Sequence, residues 1–262
     1  MARKHDDLER LLRGMFLATM AENFSEMAVR AAREGLTHEE FLYELALLER
    51  ENRDHKKIDR LLTDSKLPRE KTFEVLKMDR YPLAIRQQME TLRSGTFLDG
   101  AVNVIAIGEP GTGKSHLTAA LGHALVQRKR SVLWTPTFAV VQRLLAAKRD
   151  LRLPKELAKL DKFDCLILDD IGYVQQDREE MEVLFTLLAE RYERRSTVIS
   201  TNLVFSEWDQ IFKNPMTTMA AIDRVVHHSV IVDLAGVESY RINEAAEKQK
   251  RKKADPGPED SN

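Results

Sequence analysis

Hydrophobic positions change their spacing near residue 100. Before it they recur at helical intervals; after it they gather into short apolar runs separated by helical stretches. The first hundred residues carry no strand signal. Helical runs cover LLRGMFLATMAENFSEMAVRAAREG and HEEFLYELALLERENRDHKKIDRLL. Gly35 closes the first run. Thr37 opens the second with Glu40 three residues on, the spacing of a capping box. Phe41, Leu42, Leu45 and Leu48 then recur near a period of 3.6, which predicts one apolar stripe. Pro68 and Pro82 interrupt helices further on, so this stretch reads as a connector. From residue 101 the pattern is different. AVNVIAIG is a nearly continuous apolar run, as expected for a strand covered on both faces of a parallel sheet. Helix SHLTAALGHALVQRK follows, then strand SVLWT, helix FAVVQRLLAAK, strand FDCLILDD, helix EEMEVLFTLLAERYER, strand STVISTN and, near 229–235, strand SVIVDLA. Strands alternating with helices predict an α/β domain with a mainly parallel sheet. The end of the chain, AAEKQKRKKADPGPEDSN, is polar, basic and then acidic, and is expected to be disordered. The division is a helical domain over 1–65, a basic connector over 66–98, an α/β domain over 99–242 and a charged tail over 243–262.

Composition narrows the class. The 262 residues are 43% hydrophobic and 32% charged, enough for a sizeable core under an ion-rich surface. No apolar stretch approaches membrane-span length. The N-terminal MARKHDDLER lacks the apolar region of a secretory signal. Cys165 is the single cysteine, which excludes an intramolecular disulfide or a Cys-rich zinc site and points to a cytoplasmic setting. Net charge is −1, so a nucleic-acid partner would have to be held by local basic patches.

Four segments carry candidate chemistry. Gly108-Glu109-Pro110-Gly111-Thr112-Gly113-Lys114-Ser115 matches G-x-x-x-x-G-K-[ST], between a buried strand and a helix. Its glycines let backbone N–H groups turn toward phosphates, and the following helix N-terminus favours an anion. Lys114 is placed to reach β- and γ-phosphates, and the Ser115 hydroxyl to ligate Mg²⁺. Cys165-Leu166-Ile167-Leu168-Asp169-Asp170 is a buried strand that ends in two carboxylates, where ligands of open α/β sheets collect. Asp169 suits contact with Mg²⁺, and Asp170 suits positioning of an attacking water. Ser200-Thr201-Asn202 closes a third strand. If that strand lies between the other two, its Asn202 amide approaches the γ-phosphate and can orient water without adding charge. Arg224, in AAIDRVVHH, is either a surface ion pair with an acid such as Asp223 or a guanidinium for phosphoryl charge supplied across a subunit boundary. His227 and His228 are adjacent, share no helix face and have no third ligand, so a metal pair is rejected.

The order P-loop, ILDD, STN and then DR in a helix resembles the AAA+ ATPases of the initiator and helicase-loader branch. It is closer still to the IstB-type transposition ATPases. LPREKT (67–72), GEPGTGKSHLTAALG (108–122), LDDIGYV (168–174), RYERRSTVISTN (191–202), FSEWDQIF (205–212), DRVVHH (223–228) and ESYR (238–241) all look like that family. The resemblance covers residues 67–241 and extends to the helical N-terminus. It implies a P-loop AAA+ domain preceded by a small all-α domain, with ATP and Mg²⁺ as cofactors. It implies an ATPase beside an insertion-sequence transposase, a homo-oligomer with ATP between subunits, and double-stranded DNA as partner. Lys114 then matches the Walker A lysine, Asp169 and Asp170 the Walker B acids, Asn202 the sensor-1 residue and Arg224 the arginine finger. The nucleotide-contacting stretch runs from Gly108 to His116. AAA+ Walker B motifs usually end in Asp-Glu. Asp-Asp here draws the second carboxylate back by about one methylene, which implies slow hydrolysis. Few residues remain after 241 for a lid, and Arg241 is the one candidate for a sensor-2 arginine.

Basic patches suit a nucleic acid but fit a solvated face as well. Residues 53–93 hold eleven Lys and Arg against seven acids. The stretch 142–162 holds Arg143, Lys148, Arg149, Arg152, Lys155, Lys159 and Lys162 against three acids, and in a ring or spiral would face DNA. Lys248, Lys250, Arg251, Lys252 and Lys253 form a third cluster in the tail. Two other readings share the P-loop: a replicative helicase loader of the DnaC type, and a small-molecule kinase, against which the Asp-Asp, Asn and Arg series argues.

Overall fold

A computed structural model describes residues 2–173, 178–203 and 225–240. The chain divides into two units, residues 1–60 and 61–262, and helix α3 crosses that division.

The first unit holds α1 (Ala2–Gly14), α2 (Ala18–Glu34) and most of α3 (His38–Ser65). The first run is thus two helices, not one. The break comes from a C-terminal motif that needs one left-handed residue. Phe16 supplies it at φ +61°. Leu17 N–H reaches Leu12 O at 2.9 Å and Phe16 N–H reaches Arg13 O at 3.0 Å. Gly14 stands two residues too early to have marked the turn. Leu12, Met20, Ala21, Phe24 and Leu45 form the core of this unit. Leu45 is buried, but Leu42 is 58% exposed, so the stripe on α3 follows Phe41, Leu45 and Leu48 and omits Leu42.

Helix ends in this unit are closed by specific partners. Thr37 and Glu40 form the expected capping box: Thr37 N–H donates to Glu40 Oε2 at 2.8 Å, and Glu40 N–H donates to Thr37 Oγ1 at 3.2 Å. These bonds hold the Glu40 carboxyl below its ordinary range. Helix α2 has no side-chain cap of its own. Glu49 of α3 accepts Met20 N–H at 3.0 Å instead, satisfying an otherwise orphaned donor. Arg53 completes the clamp by pairing with Glu49 at 2.7 Å and donating to Phe16 O. Burial opposes ionisation of Glu49, but the Met20 amide and Arg53 prevail and lower its pKa.

The second unit is a five-stranded parallel sheet: β1 (Asn103–Ile107), β2 (Val132–Pro136), β3 (Cys165–Asp169), β4 (Ser196–Thr201) and β5 (Ser229–Asp233), in the order β2-β3-β4-β1-β5. Every residue of β1 and β4 is buried; in β1 this matches a nearly continuous apolar run, whereas β4 buries Ser196, Thr197, Ser200 and Thr201 along with Val198 and Ile199. Helices α5 (Lys114–Gln127), α6 (Thr137–Arg149), α7 (Leu153–Leu160) and α8 (Arg178–Arg191) connect the strands. Helix α7 falls inside the stretch read only as a basic segment; Pro154 in its first turn starts it.

Residues 66–98 belong with the sheet. Helix α4 (Leu83–Arg93) buries Ile85, Met89 and Leu92, and Leu67, Leu76, Tyr81 and Phe97 are buried beside it. Gln88 Nε2 donates to Ile231 O at 2.7 Å. A Cβ on Gly122 would lie 2.7 Å from Leu67 and 2.8 Å from Ile167, so only glycine lets α5 settle there.

Arg191 is 1% exposed. It donates to Leu160 O, Phe163 O and Ser196 O at 2.9–3.0 Å, joining α7, the entry to β3 and β4. Burying a guanidinium costs several kcal/mol, and three charge-assisted bonds at about 1.5–3 kcal/mol each are of the size that offsets it. Burial pushes its pKa down to about 10 and that of neighbouring Cys165 up to about 12. Replacing Arg191 with Met strands three carbonyls. It should lower unfolding free energy by about 3 kcal/mol or more, read from the urea midpoint. An unchanged midpoint would show that those carbonyls find other partners.

Candidate active site

Strand register assembles the site. Ile107 is level with Thr201, and Leu168 with Ile199, so three chain segments leave the sheet side by side. The P-loop follows β1, the Asp169-Asp170 pair ends β3 and Asn202 follows β4. Strand β4 lies between the other two, as the reading of Asn202 required. Gly108 N–H donates to Thr201 O at 3.3 Å, tying the root of the P-loop to that strand.

The loop is bound from beneath and above. Lys114 Nζ donates to Gly108 O at 2.7 Å and Glu109 O at 2.9 Å. Thr112 is buried and its hydroxyl donates to Glu109 O at 2.9 Å. Gly113 stands at φ +99°, where a Cβ would lie 2.2 Å from Tyr81 Oη. Gly111 stands at φ +88°, where a Cβ would lie 2.1 Å from Ser239 Oγ. Tyr81 is 1% exposed and its hydroxyl donates to Thr112 O at 3.1 Å. Burial raises the Tyr81 pKa. From the other side Tyr240 N–H donates to Gly111 O at 2.9 Å. Arg80 donates to Glu238 O and stands 5.4 Å from the Tyr81 ring centre and 5.3 Å from that of Tyr240. Helix α5 starts at Lys114 without a side-chain cap, which leaves the positive end of its dipole toward the loop.

A cavity of about 500 Å³ opens beside the loop. Pro110, Gly111, Gly113, Lys114, Ser115, His116, Asp170 and Asn202 line it, with Glu70, Lys71, Lys77, Arg80, Tyr81 and Tyr240 among their neighbours. Four cations against two acids suit a polyphosphate. A larger groove of about 730 Å³ is lined by residues of the helical unit, none of them a candidate for this chemistry. Not every expected residue lines the 500 Å³ cavity. Gly108 and Glu109 present carbonyls to Lys114, and Thr112 lies underneath. Asp169 is not among the lining residues either; its Oδ1 accepts the Ser200 hydroxyl at 2.6 Å. Asp170 turns outward at φ +58°. Asn202 Oδ1 is buried without a hydrogen-bond partner among the described residues, and a Cβ on Gly172 would lie 2.4 Å from it. His116 Nε2 lies 3.1 Å from Thr72 O and so donates to it. Burial, ahead of nearby Lys71, lowers its pKa, against the bond to Thr72.

Arg224 and Arg241 lie outside the described residues, as do FSEWDQIF and the basic cluster of the tail. Within 142–162, Arg143 and Lys159 pair with Glu156, Lys148 with Glu182 and Arg152 with Asp150. The exposed pairs, Lys148 with Glu182 and Arg152 with Asp150, are worth little; Glu156 is mostly buried under its two partners. Tyr81, Arg80, Ser200 and Tyr240 were not singled out by the sequence reading. Ser200 and Tyr240 lay inside quoted segments, whereas Tyr81 follows no periodicity that marks it.

The IstB-like ATP-binding protein family model matches residues 11–249. An insertion sequence ATP-binding protein of Sinorhizobium fredii is 42% identical over 92% of this chain and 81% of its own. One from Pseudomonas aeruginosa is 33% identical over 91% and 89%. Among solved structures, DnaI superposes with TM-score 0.54 at 17% identity, covering 64% of this chain and 94% of its own. AMPPCP-bound DnaA from Aquifex aeolicus gives 0.53 at 18%, covering 71% and 56%. At these identities the two structures establish the fold alone.

Gly113→Ala should weaken ATP binding. Strain of about 1–3 kcal/mol at such a backbone conformation corresponds to about five- to hundredfold in affinity. Adding Tyr81→Phe removes the clashing hydroxyl but not the backbone strain, so the double variant should recover part of the affinity. Full recovery in a nucleotide titration would mean that φ carries no cost.

Proposed function

Because this chain belongs to the IstB-like ATP-binding protein family, we propose that it is the ATP-driven helper of an insertion-sequence transposase, assembling on double-stranded DNA and recruiting or activating that transposase there. It is an ATPase of this family, and ATP is its nucleotide. The finer reading is carried by one observation: Lys114, Asp170 and Asn202 meet in a cavity with the P-loop, in a chain whose relatives are insertion-sequence proteins.

The proposed roles follow from the geometry. Lys114 neutralises β- and γ-phosphate charge while two P-loop carbonyls orient its ammonium. Of the stretch Gly108 to His116, Pro110, Gly111 and Gly113 to His116 would wrap the phosphates, while Gly108, Glu109 and Thr112 brace the loop. Ser115 and Asp169 would hold Mg²⁺, and a hydroxyl with a carboxylate is the oxygen donor set that this ion takes. Bound there, it supplies charge neutralisation between phosphates. Asp170 faces the cavity and polarises water, and Asn202 orients it. Its unpartnered Oδ1 suits that task. Arg224 is assigned to the neighbouring subunit's phosphates, which makes the nucleotide a link between copies. Residues 1–65 are assigned to partner, oligomer and DNA contacts, with 66–98, 99–242 and 243–262 as the remaining divisions. Arg149, Lys155 and Lys162 are exposed on the proposed DNA face. The insertion-sequence reading is favoured over a helicase loader because the family match begins at residue 11 and so takes in the helical unit. No helix among the described residues is long and apolar enough to cross a membrane; a cytoplasmic, nucleoid-associated setting is part of the proposal.

Lys114→Ala should abolish ATP hydrolysis in a phosphate-release assay. Gel filtration and DNA binding should show larger species and tighter binding with ATP than with ADP or no nucleotide, falling steeply with salt. Equal behaviour in all three nucleotide states contradicts assembly. Arg224→Ala should keep monomer ATP affinity but cost about 10³-fold or more in assembled turnover. Wild-type turnover in that variant would remove the finger role.

A further inference from the structure

Ser200 is fully buried at the C-terminal end of β4, where its hydroxyl meets two groups with fixed hydrogen-bonding roles. Asp170 N–H can only donate, so Ser200 Oγ accepts it at 2.8 Å. The hydroxyl proton then goes to the carboxylate oxygen Oδ1 of Asp169 at 2.6 Å. One hydroxyl therefore holds the side chain of the first acid and the backbone of the second. On the opposite flank of β3, the buried Thr137 hydroxyl donates to Asp169 O at 3.0 Å. The turn is gripped by a hydroxyl from each adjoining segment. It needs that grip, because Asp170 stands at φ +58°, a costly conformation for a residue with a Cβ. In this conformation Asp170 lines the cavity.

We propose that Ser200 is a positioning residue for ATP hydrolysis, orienting Asp169 toward the cation and holding Asp170 outward for water. This rests on the ATPase reading above. Sequence position would assign the STN segment a role through Asn202 alone; the hydroxyl two residues earlier acts on the neighbouring strand.

The test uses the full chain and three variants. Ser200→Ala removes the hydroxyl. Ser200→Cys keeps a side chain there but bonds weakly. Ser200→Thr keeps the hydroxyl. Loss of a group that orients a metal ligand costs about 10- to 100-fold in metal affinity or activity. The Ala and Cys variants should therefore lower kcat by about tenfold or more and raise the Mg²⁺ midpoint for hydrolysis to a similar degree. Affinity for a fluorescent ATP analogue measured without Mg²⁺ should stay within about twofold, because the P-loop contacts are untouched. The gain in that affinity on adding Mg²⁺ should shrink. Ser200→Thr should restore kcat and the Mg²⁺ response. Wild-type kcat and Mg²⁺ midpoint in a folded Ala or Cys variant would overturn the proposal. So would loss of melting temperature in both with no rescue by Thr, which would make Ser200 merely structural. Failure of the ATPase reading looks different: the unmodified chain would not hydrolyse ATP, or Lys114→Ala would hydrolyse it unchanged.

Discussion

Parallel pairing of β4 between β1 and β3 is the constraint on which the site depends. Its register sets Thr201 beside Ile107 and Ile199 beside Leu168. The phosphate loop, the acidic pair and the Asn202 amide therefore emerge at one height. A slip by a single residue would invert which side chains of β4 face each side of the sheet. It would carry the Ser200 hydroxyl away from Asp169 and Asp170 as well. Complete burial of β1 and β4 guards that register, because any displaced polar group would be left in an apolar core.

The phosphate loop has little freedom of its own. Tyr81 supports it at Gly113, and the segment 238–240 crosses it at Gly111. Both contacts come from outside the central β1–α5 unit. Residues 66–98 thus help to line the cavity beside the phosphate loop, although proline interruptions and surface charge make them look like a linker. Arg80, between the Tyr81 and Tyr240 rings, joins the two supports. Organisation before binding reduces the ordering cost that a polyphosphate would otherwise meet.

Buried charge elsewhere serves the same end. Arg191 holds three carbonyls across α7, β3 and β4, so the strands that carry the acids and Asn202 start from a shared anchor. In the helical unit, Glu49 does comparable work for the entry of α2. Each is a case where one side chain satisfies backbone groups that the local segment cannot satisfy alone.

The sequence by itself determined whatever is local. A nearly continuous apolar run marks a strand covered on both faces, three glycines and Lys114 mark a phosphate loop, and Thr37 with Glu40 marks a helix start. These signals lie within a few residues of what they specify. Tertiary structure decided the outward turn of Leu42, the different surroundings of Asp169 and Asp170, and the contacts made by Tyr81, Ser200 and Tyr240. Those contacts join positions separated by about 30 residues, as for Ser200 and the acids, or by well over 100, as for Tyr240 and Arg80. Nothing in a period of 2 or 3.6 residues carries that information, because it exists only once packing has brought the elements together.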